Sequence, residues 1–252
     1  MRVLNACEFS GVVRRAFRAR GHDAWSCDIL PSVDNSPYHI QADVRLVLDG
    51  WMPVRWAGDC DPEGSGWCQA YDVCTGTCQR IGPTQDDIEY REFGGELWGR
   101  PEAHPHWDLM IAHPPCTYLA VSGMHRTTRG LRDPQLTEDA LEFVQLLLDA
   151  PIERIALENP VSVISSRIRK PTQIIQPHEY GHDASKKTCL WLKNLPPLVT
   201  THYVMPRMVN GLPRWANQTD SGQNRLPPSE DRWALRSETY QGIADAMAEQ
   251  WG

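Results

Sequence analysis

Apolar and polar positions follow two periods along this chain, and the places where one period yields to the other divide it into elements. Residues 2–6 (Arg-Val-Leu-Asn-Ala) form a short apolar run of the kind that makes a strand. Glu8-Phe9-Ser10-Gly11 reads as a turn. From Val12 to Arg20 the apolar residues Val13, Ala16 and Phe17 recur at helical spacing on one face. Gly21-His22 stops that helix, and residues 23–28 (Asp-Ala-Trp-Ser-Cys-Asp) read as a second strand ending in an acid. A strand-helix-strand start predicts a parallel sheet with helices on its faces.

Residues 50 to 106 break the pattern. They are rich in Gly, Pro, Trp, Cys and acidic residues without a sustained period, so they read as an insertion with its own organisation. Alternation then resumes. Residues 107–112 form a strand that runs into His113-Pro114-Pro115-Cys116. Thr137 to Leu148 reads as a helix begun by a Thr-Glu-Asp cap, with Leu141, Val144, Leu147 and Leu148 on a common face. Residues 154–157 are a buried-type strand running directly into Glu158-Asn159-Pro160, and 188–192 are another strand. Pro- and Arg-rich connections fill 199–236, and a last helix runs from about Tyr240 to Gln250. The organisation expected is a core made of 1–49 and 107–198, an insertion at 50–106, a small region at 199–235 and a closing segment at 236–252.

The 252 residues, 41% hydrophobic and 23% charged, exclude a disordered or collagen-like chain. No apolar run approaches the roughly 18 residues of a spanning helix, and the opening residues lack the apolar core of a secretory signal. A cytoplasmic protein of a bacterium or a phage-infected cell is the expectation. Net charge is −7, which argues against coating nucleic acid over the whole surface. The charge is uneven: residues 60–105 hold nine acids against three arginines, whereas 166–236 hold eleven bases against five acids. Arg167, Arg169, Lys170, Lys186, Lys187, Arg207, Arg214, Arg225 and Arg232, near Tyr203 and Trp215, are therefore the candidate phosphate track.

Three segments place reactive or polar groups at the carboxyl ends of strands, where open α/β sheets bind ligands. Glu8-Phe9-Ser10-Gly11 after the first strand, with Asp28 after the second, suits a ligand carrying a ribose or a zwitterionic tail. Pro114-Pro115-Cys116-Thr117 holds a thiol on a stiff loop, from which a thiolate can attack an electrophile. Taken alone, a buried cysteine behaving as a small hydrophobe is the commoner case. Glu158-Asn159 sets a carboxyl beside an amide, a pair able to read the edge of a heterocycle; alone, Glu-Asn-Pro is also an ordinary turn.

Taken together, these segments resemble the DNA cytosine-5 methyltransferases, which use S-adenosylmethionine. Phe9-Ser10-Gly11 is similar to their first motif, Asp28 to their ribose-binding acid, and Asp43 in Ala42-Asp43-Val44 to the acid at the adenine. Pro115-Cys116 is similar to their nucleophile loop, with Ser122-Gly123 downstream, and Glu158-Asn159 to their Glu-Asn pair. The agreement covers about residues 1–48, 107–195 and 236–252. The family's later arginine motif is replaced by Ser185-Lys186-Lys187-Thr188, and its recognition domain is shrunk to about 199–235, as in compact phage-encoded members.

The resemblance implies a Rossmann-like methyltransferase fold and methyl transfer to carbon 5 of a flipped cytosine in double-stranded DNA. Cys116 would be the nucleophile, with Pro115, Glu158, Asn159 and Lys187 completing the catalytic set. Glu8, Phe9, Ser10, Gly11, Asp28, Ile29, Asp43, Val44 and Pro114 would hold the cofactor. RNA or a free nucleotide as substrate, and a silent nucleic-acid- or zinc-binding module, are the other readings. A zinc deaminase is excluded, because Leu119 stands where a Pro-Cys-x-x-Cys motif needs its second cysteine. In the insertion, Cys60, Cys68, Cys74 and Cys78 make a candidate four-thiolate structural zinc site, with His104 and His106 as substitutes. The spacing lacks two Cys-x2-Cys knuckles, so reduced unligated cysteines or partial disulfides are also compatible.

Overall fold

The computed structural model describes residues 1–53, 88–93, 95–101, 106–230 and 232–252. In chain order the elements begin with β1 (Arg2–Ala6), α1 (Val12–Arg18), β2 (Asp23–Asp28), β3 (His39–Gln41) and α2 (Val44–Leu48). β4 (Met52–Pro53), β5 (Ile88–Phe93), β6 (Glu96–Pro101), β7 (Leu109–Ala112), α3 (Met124–Thr128), α4 (Gln135–Asp149) and β8 (Arg154–Pro160) follow. The chain ends with α5 (Ile164–Arg167), β9 (Gln173–Ile175), β10 (Thr188–Lys193), β11 (Arg207–Val209), β12 (Leu212–Arg214), α6 (Arg232–Ser237) and α7 (Gln241–Gln250).

Seven strands form one sheet in the order β3-β2-β1-β7-β8-β10-β9. The first five are mutually parallel, and β10 runs antiparallel to both of its neighbours. The fold is thus mixed α/β with a mostly parallel sheet: the opening strands are parallel as expected, and β10 is the antiparallel member. Ala6 pairs with Cys27 on one side and Ala112 on the other, and Ala112 pairs with Leu157. Cys7, Asp28, His113 and Glu158, each one residue further on, therefore emerge along one edge of the sheet.

Strand side chains alternate between two buried layers. Leu4, Ala6, Met110 and Leu157 face Leu141, Val144, Leu147 and Leu148 of α4 with Val44 and Val47 of α2. Val3, Leu109, Ile111 and Ala156 face Val13, Ala16 and Phe17 of α1 with Ile243, Ala244 and Met247 of α7. β4, β5 and β6 make a separate three-stranded antiparallel sheet. Its Trp98 joins the first layer beside Trp51 and Met52, so the described part of the insertion packs onto the core.

Two local expectations are corrected. α4 starts at Gln135, and Thr137 lies inside it, its hydroxyl donating to the Tyr118 carbonyl at 3.2 Å; Asp133 accepts the Gln135 amide instead. The strand expected over 154–157 runs on through Glu158-Asn159-Pro160 as the last part of β8, paired with Leu190, Cys189 and Thr188 of β10. The β10 ladder extends pairing over residues whose own β propensity is low. Among the described residues no helix is long and apolar enough to cross a membrane.

Candidate active site

From β1 the chain runs outward to β2 and β3, then returns past β1 to β7 and β8. The reversal at β1 and β7 is a topological switch point, the place where an open α/β sheet holds ligands. A cavity of 1580 Å³ opens there. Glu8, Phe9, Ser10, Asp28, Ile29, Asp43, Val44, Pro114, Pro115, Cys116, Glu158, Asn159 and Lys187 all line it, as do Ser122 and Gly123. Gly11 does not. Its φ is +70°, and a Cβ there would lie 2.3 Å from the Arg14 guanidinium, so backbone conformation and the neighbouring arginine demand glycine at this turn.

On the side of β1 and β2, Cys7 adopts φ 59°, a left-handed conformation that costs a non-glycine residue about 1–2 kcal/mol. Such strain gathers at functional sites. Glu8 is buried, and its carboxylate turns back to accept the Val13 amide at 2.7 Å, serving the exposed donors at the start of α1. Burial pushes its pKa up, with His113 and the helix amides opposing. Asp28 closes β2 and accepts the Leu30 amide at 2.9 Å; burial raises its pKa also. Ile29 beside it is 71% exposed, an apolar face offered to whatever fills the cavity. Asp43 caps α2 through the Arg45 amide and pairs with the Arg45 guanidinium at 3.0 Å.

On the side of β7 and β8, Pro114-Pro115 leads to Cys116, an exposed thiol whose carbonyl accepts the amides of Leu119 and Ala120. Asn159 donates from Nδ2 to the Pro114 carbonyl at 2.9 Å, tying this loop to β8. Glu158 is buried, and its Oε2 accepts from His113 Nδ1 at 2.9 Å and from the Thr239 hydroxyl at 3.2 Å. Its Oε1 makes no hydrogen bond among the described residues. Burial works against both charges of the pair. The His113 hydrogen bond and charge nevertheless bring Glu158 down to about 2, and Glu158 with Glu8 raises His113.

Sequence reasoning missed His113, Thr239 and Trp233. A histidine ending an apolar strand one residue before Pro-Pro was the available signal for the first. Thr239 and Trp233 gave none, since the expected return of 236–252 to the core does not say which residue meets Glu158, and Trp233 lies before that segment. The Trp233 ring lies 5.7 Å from Phe9, and Trp233 and Leu235 of α6 stay more than half exposed at the cavity. The expected basic track divides. Lys186, Lys187 and Arg225 line the cavity, while Arg167 pairs with Glu138 and Arg207 with Asp220, each at 2.7 Å. Trp215 stacks one face on His178 at 4.1 Å, and Tyr203 remains about half exposed.

Cys60, Cys68, Cys74, Cys78 and His104 lie outside the described residues. Among the described residues no group of three or more His, Cys, Asp or Glu side chains is placed to hold a metal ion. The chain matches no protein-family model, and no curated protein matches it.

Proposed function

We propose that this protein transfers a methyl group from S-adenosylmethionine to carbon 5 of cytosine in DNA, on a methyltransferase variant of the Rossmann-like fold. The observation that carries the reading is the shared cavity. Cys116 and Glu158-Asn159, about forty residues apart, line the same space as Phe9, Asp28 and Asp43, and the Asn159–Pro114 hydrogen bond ties the two segments together. Its 1580 Å³ exceeds the roughly 300–1,000 Å³ of a single small-ligand pocket, which suits two molecules meeting in it.

S-adenosylmethionine supplies a methyl group activated by a positively charged sulfur. The residues present fit it: an acid ending β2, an exposed apolar side chain next to it, and a second acid at the start of α2. Cytosine carbon 5 is a poor nucleophile. Addition of the Cys116 thiolate to carbon 6 moves the ring's double-bond electrons onto carbon 5, which can then take up the methyl. N3 takes up a proton from water as the thiolate adds, and Glu158 accepts from N3–H and the exocyclic amine through its unbonded oxygen, stabilising the protonated ring. Asn159 keeps the nucleophile loop against β8. Loss of the carbon 5 proton to a base other than Cys116 restores the double bond and expels the thiolate. A paired base cannot reach such a pocket, so the nucleotide leaves the helix, at a cost of a few kcal/mol.

Labelled-methyl transfer to duplex DNA, RNA and dCMP tests the reading. Label is expected in DNA, and Cys116→Ser is expected to abolish it while calorimetry still detects S-adenosylmethionine binding. Full turnover by Cys116→Ser, or label confined to RNA or dCMP, overturns the assignment.

A further inference from the structure

A carboxylate that must meet a flat base in one orientation needs something to hold its other oxygen. In the family this chain resembles, a later motif carries an arginine, and here Ser185-Lys186-Lys187-Thr188 takes its place. Neither lysine hydrogen-bonds Glu158, although the charge of Lys186 reaches it. Lys186 donates its Nζ to the Glu238 carbonyl at 3.3 Å, and no contact joins Lys187 to the carboxylate. The partner of Glu158 comes from the neighbouring strand instead. His113 follows β7, its amide donates to the Ala6 carbonyl at 2.9 Å, and its ring meets Glu158 Oε2 at 2.9 Å.

We propose that His113 is the positioning residue of Glu158, a titratable replacement for a permanent cation, so that the site works at full rate only while this ring is protonated. The inference rests on the methyl-transfer reading for its kinetic consequence and on the geometry alone for the pairing. Three observations support it. The His113 side chain is nearly enclosed, with 12% of its surface exposed, and so is that of Glu158, with 10%. His113 Nε2 is buried and has no hydrogen-bond partner among the described residues. A purely structural residue here would avoid that cost, since buried polar atoms are otherwise paired. The groups around the ring also favour its charged form. Glu158 on β8 and Glu8 after β1 both act to charge it, while Lys186 before β10 and burial itself oppose. Asp28 at the end of β2 is near enough to feel the ring's charge. The Thr239 hydroxyl shares Oε2, so loss of the Nε2 proton would leave the carboxylate with two neutral donors, Nδ1–H and the hydroxyl, and without the ring's charge.

An arginine keeps its charge at every physiological pH, whereas a histidine loses it. The rate constant kcat is therefore expected to fall on the alkaline side through the pKa of the paired ring, by about 10- to 100-fold, and then to level off where the ring donates without charge. His113→Asn places an amide nitrogen close to the position of Nδ1 without a charge to lose. It is expected to lower kcat about 10- to 100-fold near pH 6.5, to leave the KM for S-adenosylmethionine within twofold, and to abolish the alkaline fall. Native kcat in His113→Asn, or an unchanged alkaline fall, overturns the positioning role.

A second measurement needs no activity. In protein labelled at histidine, the nuclear magnetic resonance signal missing from His113→Asn identifies the ring. Its titration midpoint is expected above 6.5 and should drop in Glu158→Gln. A midpoint at or below 6.5 that ignores Glu158→Gln overturns the pairing, whatever the protein methylates. The expected titration in a protein that methylates nothing overturns the functional reading and leaves the pairing established.

Discussion

Arg14 is the least expected residue in the core: a charged side chain 1% exposed on a helix that also buries Val13 and Phe17. It is tolerable because both terminal nitrogens of the guanidinium are engaged, with Nη1 donating to the Ser26 hydroxyl at 2.7 Å and Nη2 to Asp34. Asp34 also bonds Arg15 and Ser32, so this one contact anchors the loop between β2 and β3. Burial opposes the Asp34 charge, and the bonds from Arg14, Ser32 and Arg15 more than offset it, holding the carboxyl well below its usual range. A depressed carboxyl stabilises the fold above its unfolded value near 3.8 and loses that contribution as the medium becomes more acid. Asp34→Asn should then cost about 1–3 kcal/mol in urea unfolding at pH 7 and about 1 kcal/mol less at pH 3, where only the unfolded carboxyl is largely protonated. Gly11→Ala is expected to cost a similar 1–3 kcal/mol, through its positive φ and the approach of Arg14, with the cavity lining intact.

At the level of elements, α4 is held by one face. Leu147 is fully buried in the core layer that α4 forms with the sheet, whereas Leu146 next to it is 39% exposed. Leu147→Ala should lower stability by about 2–5 kcal/mol and Leu146→Ala by less than about 1, read as the shift in urea midpoint. This helix was legible because four leucine and valine positions repeat along it, but its start was not. Thr137 resembles a cap in sequence, and only the Tyr118 carbonyl opposite its hydroxyl shows otherwise. β1, β2, β7 and the first part of β8 were equally legible as apolar runs. β3 and β9, three residues each, carry too few positions to show a period. The direction of β10 could not be read, since Thr188–Lys193 has the same local pattern whichever way it lies in the sheet. Cys116, Glu158 and Asn159 were found because each follows an apolar run, whereas the His113 contact to Glu158 joins residues forty-five apart and exists only in the fold.

For the whole molecule, the buried pair of His113 and Glu158 sets a pH window. Glu158 lies below its unfolded value near 4.5, so its contribution is present above that pH and is lost as the medium approaches about 2. His113 lies above its unfolded value near 6.5, so its contribution is complete below 6.5 and disappears as pH rises through the folded value. The pair should therefore stabilise most between about 4.5 and 6.5. Guanidinium midpoints measured from pH 3 to 9 should show both shoulders, and Glu158→Gln should flatten them. The zinc expectation for the insertion is decided separately, by elemental analysis of metal-replete protein: one zinc per chain sustains it and none removes it.

Strand β10 enters the sheet upside down relative to its parallel neighbours. A parallel strand there would offer the cavity whatever comes after its last residue. This one offers what comes before its first, so Lys186 and Lys187 arrive at the rim while Lys193 and Asn194 are carried to the far side. Lengthening the connection after Lys193 should consequently be silent for ligand binding, and lengthening the one before Thr188 should not.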